Sequence, residues 1–170
     1  MLFSSKSASK QKSTARARTK TRLGIETLEA REVYAVVGLT PLAPVLQNGI
    51  LTVVGNDSPN TIDVTKSGSN INVLGKSFVA SQVKQIVVTG EGGDDKITVS
   101  ESITQKTYIY GGSGSDTIKG GGGVDVIYGG SSVDYIYGRG GDDSIYGGSG
   151  GDTIDGGLGN DGVYDAQSVD

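Results

Sequence analysis

Most of the chain after Gly49 consists of short runs in which apolar and polar residues alternate. Five such runs are rich in β-branched residues and are separated by clusters of Gly, Asn, Asp, Ser and Pro. Alternation with a period of two residues predicts β-strands with one buried face, and the clusters predict turns between them. The predicted strands are Ile50–Val54, Thr61–Thr65, Ile71–Leu74, Gln85–Thr89 and Lys96–Ser100. No helix signal interrupts them, so the pattern predicts an all-β fold.

From Gly111 the pattern becomes a repeat of nine residues that runs six times without an insertion. Gly occupies position 1 and Asp position 6 of every repeat, and position 8 is always Ile or Val. A fixed period of this kind predicts that each unit stacks on its neighbours. The repeats are GGSGSDTIK (111–119), GGGGVDVIY (120–128), GGSSVDYIY (129–137), GRGGDDSIY (138–146), GGSGGDTID (147–155) and GGLGNDGVY (156–164).

The repeat length predicts a coil made of two repeats. Positions 7–9 fit a three-residue strand whose middle side chain points inward, and positions 1–6 turn the chain, with Gly supplying positive φ angles. Two repeats then complete one coil, and parallel coils stack about 4.8 Å apart. The predicted ladders of position 6 residues are Asp116, Asp134 and Asp152 on one edge, and Asp125, Asp143 and Asp161 on the other. Asp134 and Asp143 are thus central in their ladders, whereas Asp116 and Asp161 lie at ladder ends.

Stacked carboxylates need a partner. At this spacing they repel by roughly 3 kcal/mol per pair at an effective dielectric of about 20. A hard cation between them reverses the repulsion, and loop carbonyls complete an all-oxygen shell, which favours Ca²⁺ over Zn²⁺ or Cu²⁺. Binding of the metal would then be the folding step. Merely solvated Asp residues would not need a fixed spacing from Gly and Ile, and a phosphate-binding loop would need a following Gly-Lys-Ser/Thr.

The candidate calcium ligands are the six position 6 carboxylates together with glycines of the same turns. These glycines are Gly111, Gly112, Gly114, Gly120, Gly121, Gly123, Gly129, Gly130, Gly138, Gly140, Gly147, Gly148, Gly150, Gly156, Gly157 and Gly159. Two residues depart from the pattern: Ser132 replaces Gly at position 4 of the third repeat, and Arg139 replaces Gly at position 2 of the fourth. We expect weaker metal sites beside these two residues.

The six repeats resemble the RTX, or haemolysin-type, calcium-binding nonapeptide. The resemblance implies a right-handed parallel β-roll, that is, a β-solenoid that binds several Ca²⁺ ions, in a secreted bacterial protein. Residues 90–98 fit the same template with Asp95 in phase, and residues 55–63 fit it loosely with Asn60 in the Asp position. We interpret both segments as decayed repeats that no longer hold metal.

The N-terminal segment, residues 1–36, has a different composition, with eight Lys/Arg and three Glu. Low apolar content predicts disorder over residues 1–22, and Arg22–Val37 is the one plausible helix. This segment has three interpretations: a short amphipathic helix, a basic tract that binds nucleic acid or membrane, or an export leader. The stretch Leu23–Arg31 resembles a Leu-Glu-x-Arg leader found at the N-termini of large bacterial surface proteins.

Composition excludes several classes of function. The chain contains no Cys and no His, which excludes disulfides, Cys nucleophiles, His-based acid–base catalysis and zinc proteases. Residues 111–170 contain ten Asp, one Lys and one Arg, and this net charge of −8 is unsuited to nucleic acid, whose binding depends on Lys and Arg. No apolar run approaches the length that a membrane-spanning helix needs, so no transmembrane segment is predicted.

We predict four regions: a basic leader (1–36), a β-rich cap with degenerate repeats (37–110), the calcium-binding roll (111–164) and a tail (165–170). The predicted function is that of a non-enzymatic structural or binding module, extracellular or at the cell surface, which folds on extracellular Ca²⁺. The alternative is the calcium-binding part of a larger secreted hydrolase, toxin or adhesin. The short tail leaves no room for the C-terminal secretion signal common in the family, so export would use the leader, or the chain is a fragment.

Tyrosines at position 9 add a possible partner surface. Because they are spaced by two repeats, we predict that they stack in one ladder on one face, with three other side chains at the same depth on the opposite face. The ladder consists of Tyr110, Tyr128, Tyr146 and Tyr164, and the opposite face presents Lys119, Tyr137 and Asp155. The ladder either only stiffens the roll or forms a surface for self-association or for a cell-surface or matrix polymer.

Overall fold

A computed structural model of the chain describes residues 42–165. The predicted helix, the leader and most of the tail lie outside these residues. The described part consists of strands and turns, with one short 3₁₀ turn at Ala80–Gln82. The strands are β1 (Leu42–Gln47), β2 (Ile50–Asn56), β3 (Thr61–Ser67), β4 (Asn70–Val73), β5 (Lys76–Val79), β6 (Gln85–Gly92), β7 (Lys96–Val99), β8 (Lys106–Ser113), β9 (Thr117–Lys119), β10 (Asp125–Ser131), β11 (Tyr135–Tyr137), β12 (Ser144–Ser149), β13 (Thr153–Asp155) and β14 (Gly162–Tyr164).

The strands form two seven-stranded sheets. One sheet has the order β1-β2-β6-β8-β10-β12-β14, and the other has the order β13-β11-β9-β7-β3-β4-β5. Neighbouring strands are parallel except at one end of each sheet, where β1 pairs antiparallel with β2, and β3, β4 and β5 form an antiparallel meander. Since consecutive parallel strands alternate between the sheets, the chain winds as a β-solenoid. The prediction of an all-β parallel β-roll is therefore confirmed, while its handedness stays a prediction.

The predicted register of the repeats, with two repeats in each coil, is confirmed by the strand pairing. Ile127 pairs with Ile109 on one side and with Ile145 on the other, and Ile136 pairs with both Ile118 and Ile154 in the second sheet. Each position 8 side chain therefore lies directly above the same position one coil earlier. This arrangement places one inward Ile or Val from every repeat between the two sheets.

Upstream of the repeats the same parallel ladders continue with longer coils. Ile97 pairs with Ile118, and Ile62 pairs with Ile97, so both coils are longer than two repeats. The coil that begins at Ile62 contains the β4–β5 hairpin, and the coil that begins at Ile97 has a longer connection between β7 and β8. All five strands predicted upstream are confirmed. The sequence pattern does not predict β1 (LAPVLQ) and β5 (KSFV), because polar and apolar residues do not alternate in either segment.

The apolar core is richest in the upstream coils. Fully or almost fully buried side chains there include Leu51, Ile62, Ile71, Ile86 and Ile97. In the repeats the core narrows to one inward side chain per repeat, and it ends before the last strand: Ile145 is fully buried and Val163 is 48% exposed. The last inward position is therefore half-exposed, since no described strand covers β14. Among residues 42–165, no helix is long and apolar enough to span a membrane.

Candidate metal centre

One edge of the roll carries a continuous chain of hydrogen bonds between Asp residues of successive coils. The backbone N–H of Asp116 donates to Oδ1 of Asp134 (2.8 Å), and the N–H of Asp134 donates to Oδ1 of Asp152 (2.9 Å). The N–H of Asp95 donates to Oδ1 of Asp116 in the same way (2.8 Å). The predicted ladder thus exists, but Asp116 is not its end, because Asp95 precedes it.

The opposite edge carries the second predicted ladder, which is shorter. The N–H of Asp125 donates to Oδ1 of Asp143 (2.8 Å), and the N–H of Asp143 donates to Oδ1 of Asp161 (2.9 Å). One coil upstream, Thr107 occupies the equivalent position and pairs with Asp125 in the sheet. A hydroxyl replaces the carboxylate there, so this ladder begins at Asp125.

In both ladders there are carboxylates whose second oxygen is buried without a hydrogen-bond partner among the described residues. The residues with such an Oδ2 atom are Asp95, Asp116, Asp134, Asp143 and Asp152. Asp116 and Asp134 are completely buried, and Asp95 and Asp143 are 2% exposed. A buried charged oxygen without a partner is costly, so these atoms identify the places where a cation would be most stabilising.

The unpartnered oxygens lie against the Gly at position 1 of their own repeat. A Cβ added to Gly129 would lie 2.5 Å from Oδ2 of Asp134 and 2.5 Å from the carbonyl oxygen of Gly147, and Gly138 stands in the same relation to Asp143. Position 1 is therefore Gly because a Cβ would collide with these oxygens. At Gly129 and Gly138 a carboxylate oxygen lies close to a carbonyl oxygen of the following coil, whereas at Gly147 the neighbouring oxygens are Oδ2 of Asp152 and Oδ1 of Asp165.

Position 2 is Gly because successive coils are in van der Waals contact there. The Cα atoms of Gly130 and Gly148 lie so close to the carbonyl of the position 2 residue one coil earlier that neither has space for a Cβ. Position 2 and position 4 glycines also have positive φ angles, which Gly adopts at no steric cost. These residues are Gly112, Gly114, Gly130, Gly148, Gly150, Gly157 and Gly159.

Among the candidate calcium-binding glycines outside position 1, three do not have a positive φ angle: Gly121, Gly123 and Gly140. In the fourth repeat the left-handed position 4 residue is Gly141 (φ 116°), not Gly140, which instead forms an isolated bridge to Leu158. In the second repeat, Gly121 and Gly123 are outside the left-handed region. They lie against the carbonyls of Ile103 and Thr104, and that upstream turn has no glycine, so the second repeat packs on a differently shaped neighbour.

Ser132 and Arg139, which replace Gly in the repeat pattern, adopt the left-handed backbone conformation of the glycines that they replace. Ser132 has a φ of 81° and Arg139 a φ of 77°, a region that side chains other than Gly, Asn and Asp adopt rarely. Nη1 of Arg139 donates to the carbonyl oxygens of Val99 (2.8 Å) and Gly120 (3.3 Å). The guanidinium therefore places a positive charge on a position 1 carbonyl at the upstream end of the Asp125 ladder, which supports the expectation of a weaker metal site there.

Burial makes the ladder carboxyls weak acids. It raises the pKa of Asp116, Asp134 and Asp143 from 3.8 to about 6 and that of Asp125 to about 7. Backbone N–H donors oppose this rise, and the negative charge of the next Asp in the ladder adds to it. The pKa of Asp95 is also raised by burial. Without a cation, Asp116, Asp134 and Asp143 would therefore ionise only near pH 6 and Asp125 only near pH 7.

The donor set fits Ca²⁺. The atoms that face the glycine spaces are carboxylate and carbonyl oxygens, which are the hard donors that Ca²⁺ takes in flexible geometry. Within residues 42–165 no three Asp, Glu, His or Cys side chains gather in one cluster. A bound ion would therefore take one or two ladder carboxylates, and the backbone carbonyls of two stacked loops would supply the other oxygens.

The position 9 tyrosines are stacked as the register predicted. Ring centroids are 5.1 Å apart for Tyr110 and Tyr128, 4.7 Å for Tyr128 and Tyr146, and 4.8 Å for Tyr146 and Tyr164. On the other sheet, Tyr137 pairs with Lys119 and Asp155, and Nζ of Lys119 lies 5.5 Å from the Tyr137 ring centroid. Both faces thus have the composition that the sequence predicted.

Comparison with known proteins agrees with this geometry. A family model described as the RTX calcium-binding nonapeptide repeat (4 copies) matches residues 107–132 and 128–163. No curated protein and no solved structure matches the chain. The match covers the coils that hold both ladders from Asp116 to Asp161. Residues 107–163 therefore match the RTX calcium-binding nonapeptide repeat, and the coils that they form are those of a parallel β-roll.

Proposed function

We propose that this chain is a secreted, non-catalytic binding or structural module whose repeats fold when they bind extracellular Ca²⁺. The observation that carries the proposal is the set of buried Oδ2 atoms that have no hydrogen-bond partner among the described residues, at Asp116, Asp134 and Asp152 on one edge and at Asp143 on the other. At Asp116, Asp134 and Asp143 these atoms lie near a carbonyl oxygen of the following coil, beside a position 1 Gly that has no room for a side chain. A site of this kind is unfavourable when empty and ionised, and favourable when a divalent cation neutralises it.

The distribution of apolar residues supports coupling between calcium binding and folding. Each repeat contributes one inward Ile or Val, and the outermost of these are partly exposed. Burying one such side chain contributes about 2–3 kcal/mol, and the nine residues of its repeat must all be ordered at a cost in conformational entropy. The repeats therefore depend on an additional source of stability, which the bound ions supply.

The extracellular setting is proposed from the type of site. Calcium modules that work outside cells bind with dissociation constants of about 0.1–1 mM, so they are empty where free calcium is scarce and filled after export. A chain that stays unfolded until it meets calcium is suited to export in an extended form. The Leu23–Arg31 segment, which lies outside the described residues, is the proposed export leader.

A larger parent protein is the alternative. The same roll would then act as the calcium-binding part of a secreted hydrolase, toxin or adhesin, and residues beyond this chain would carry the activity. In both cases the chemistry of residues 111–164 is the same. The two cases differ only in what is attached to the roll.

Isothermal titration calorimetry of the full chain with CaCl₂ tests the proposed function. We expect saturable binding of several ions, with MgCl₂ as the comparison salt giving much weaker binding, because Mg²⁺ demands a near-ideal octahedron and gives up its water reluctantly. The same titration of a chain with Asp116, Asp134, Asp143 and Asp152 all changed to Asn should give little heat. Unchanged binding by that variant would contradict the proposal.

A further inference from the structure

Residues 90–95 form a loop upstream of the uninterrupted repeats and outside the residues that match the RTX family. Its sequence, GEGGDD, has Glu91 at position 2, where a regular repeat has Gly. Glu91 nevertheless has a φ of 79° and Gly93 a φ of 92°, as Gly112 and Gly114 have positive φ angles in the next loop of the same edge. The loop therefore has the backbone conformation of an intact repeat.

Asp95 occupies the position 6 place of this loop and has the same environment as the repeat carboxylates. Its side chain is 2% exposed, its Oδ1 accepts the N–H of Asn60 (2.7 Å), and its Oδ2 has no partner among the described residues. A Cβ on Gly90 would collide with that Oδ2 and would lie 2.6 Å from the carbonyl oxygen of Gly111. A carboxylate oxygen and a carbonyl oxygen of the following coil therefore approach the position 1 Gly here as they do at Gly129.

The next loop upstream shows what a metal-free version of this arrangement looks like. Asn60 occupies the position 6 place there, and its amide group closes on Asn56: Oδ1 accepts the Asn56 N–H (2.8 Å), and Nδ2 donates to Oδ1 of Asn56 (3.1 Å). The neutral amide is satisfied within its own loop. Asp95 has no such internal partner for its Oδ2 among the described residues. Along this edge, the position 6 residue therefore changes from a hydrogen-bonded amide at Asn60 to a carboxylate with an unpartnered oxygen at Asp95.

We propose that the loop at residues 90–95 holds a further Ca²⁺ ion, bound by Asp95 Oδ2 and the Gly111 carbonyl between this loop and residues 111–116. The proposal rests on the proposed calcium function of the repeats and extends it by one coil. The site is hard to recognise in the sequence, because the separation of Asp95 from Asp116 is longer than two repeats and because Glu91 replaces the Gly of position 2. This proposal differs from the interpretation of residues 90–98 as a repeat that no longer holds metal.

Native mass spectrometry of the full chain in calcium, which counts bound ions, tests the proposal. We expect Asp95→Asn to hold one ion fewer than the unmodified chain, since Asn retains the acceptor for the Asn60 N–H but loses the charge. Asp94→Asn is the matched control: Asp94 is an exposed neighbour in the same loop whose Oδ1 accepts the Ser115 N–H (2.9 Å), and its variant should hold the full number.

The outcomes separate this proposal from the proposed function. If Asp95→Asn holds the full number of ions while Asp134→Asn loses ions, the site at Asp95 is refuted and calcium binding by the repeats stands. If the unmodified chain holds no calcium, both are refuted. Should Asp95→Asn fail to fold, crystals of the unmodified chain grown with calcium decide the question. Anomalous density about 2.3–2.6 Å from Asp95 Oδ2 is the expected result, and its absence beside filled sites at Asp134 would overturn the proposal.

Discussion

The backbone N–H of Asp116 donates a 2.8 Å hydrogen bond to Oδ1 of Asp134, which lies one coil further along the roll. This contact fixes the carboxylate of Asp134 so that its second oxygen points at the space beside Gly129. One oxygen therefore holds two coils together, and the other is left for a cation. The same division of roles recurs along both edges of the roll, which is why one substitution affects both the coil stacking and the metal.

Charge removal at the ladder carboxylates is expected to weaken calcium binding. Asp134→Asn keeps an acceptor for the Asp116 N–H and removes the charge. Changes at supporting residues alone weaken metal sites about 10–100-fold, so we expect at least about a tenfold loss of calcium affinity in calorimetric titrations. Asp116→Asn should be as severe, because Asp95 makes Asp116 an interior member of the ladder. Asp63→Asn, an exposed change on β3, is the control and should have no effect.

Substitution of Arg139 is expected to strengthen calcium binding on the edge of the roll that carries Asp125, Asp143 and Asp161. Its guanidinium holds the Gly120 carbonyl (3.3 Å), and removal of this positive charge should tighten the weakest site by roughly tenfold, that is about 1.4 kcal/mol. Arg139→Gly removes both the charge and the unfavourable backbone conformation. Arg139→Asn removes the charge but keeps a side chain that tolerates positive φ. If only the Gly variant binds more tightly, backbone strain is responsible, and the charge argument is wrong.

The raised carboxyl pKa values predict that the calcium-free roll is most stable in acid. In the unfolded chain an Asp loses its proton near pH 3.8, whereas burial keeps Asp116, Asp134 and Asp143 protonated up to about pH 6 and Asp125 up to about pH 7. The folded state therefore binds more protons between these values, and its stability falls as the pH rises through that window. Circular dichroism in calcium-free buffer should therefore show more β structure at about pH 4.5 than at about pH 7.5.

Asp125→Asn provides the control for this pH dependence. Because an amide does not titrate, the variant should lose part of the difference between acid and neutral pH. Calcium binding should show the opposite trend, since protons compete for the same oxygens, and affinity should decline below about pH 6. Equal stability of the calcium-free chain at both pH values would be inconsistent with buried ladder carboxyls.

Substitution of the stacked tyrosines distinguishes a structural role of the ladder from a binding role. Tyr128 and Tyr146 stack at 4.7 Å, and stacked rings contribute about 0.5–1.5 kcal/mol per pair beyond burial. Changing both to Ser removes all three stacked pairs, so a structural ladder predicts a loss of about 2–4 kcal/mol from the unfolding free energy in calcium. Self-association, measured by sedimentation, should be unchanged. Retained stability with lost association or polymer binding would instead make the ladder a binding surface.

The repeats could be predicted from the sequence almost completely. Invariant Gly, Asp and Ile/Val at fixed positions determine both the register of two repeats per coil and the membership of the two ladders. The upstream coils are harder to predict, because the longer separation of Asp95 from Asp116 and the hairpin within the first coil break the period, although the strands themselves follow from the alternation. Pairing between distant segments depends on the core that they share, and local alternation does not reveal it.

Individual loop conformations are the least predictable part of the site. Gly121 and Gly123 occupy positions 2 and 4 of the second repeat, yet neither adopts the left-handed conformation of the corresponding glycines in other repeats. The contact of Arg139 with the Gly120 carbonyl follows from the packing of a fully formed coil. Such contacts between stacked turns have no counterpart in the linear pattern.

Hydrogen exchange of the full chain with and without calcium tests the central claim most directly. Peptides from β2, β6 and β7 have a dense apolar core, so they should be protected in both conditions. Peptides from residues 111–164 should be protected in calcium and should exchange rapidly after chelation, because their stability depends on the bound ions. If the repeats remain equally protected in excess chelator, calcium is not required for their fold, and the proposed coupling of calcium binding to folding is wrong.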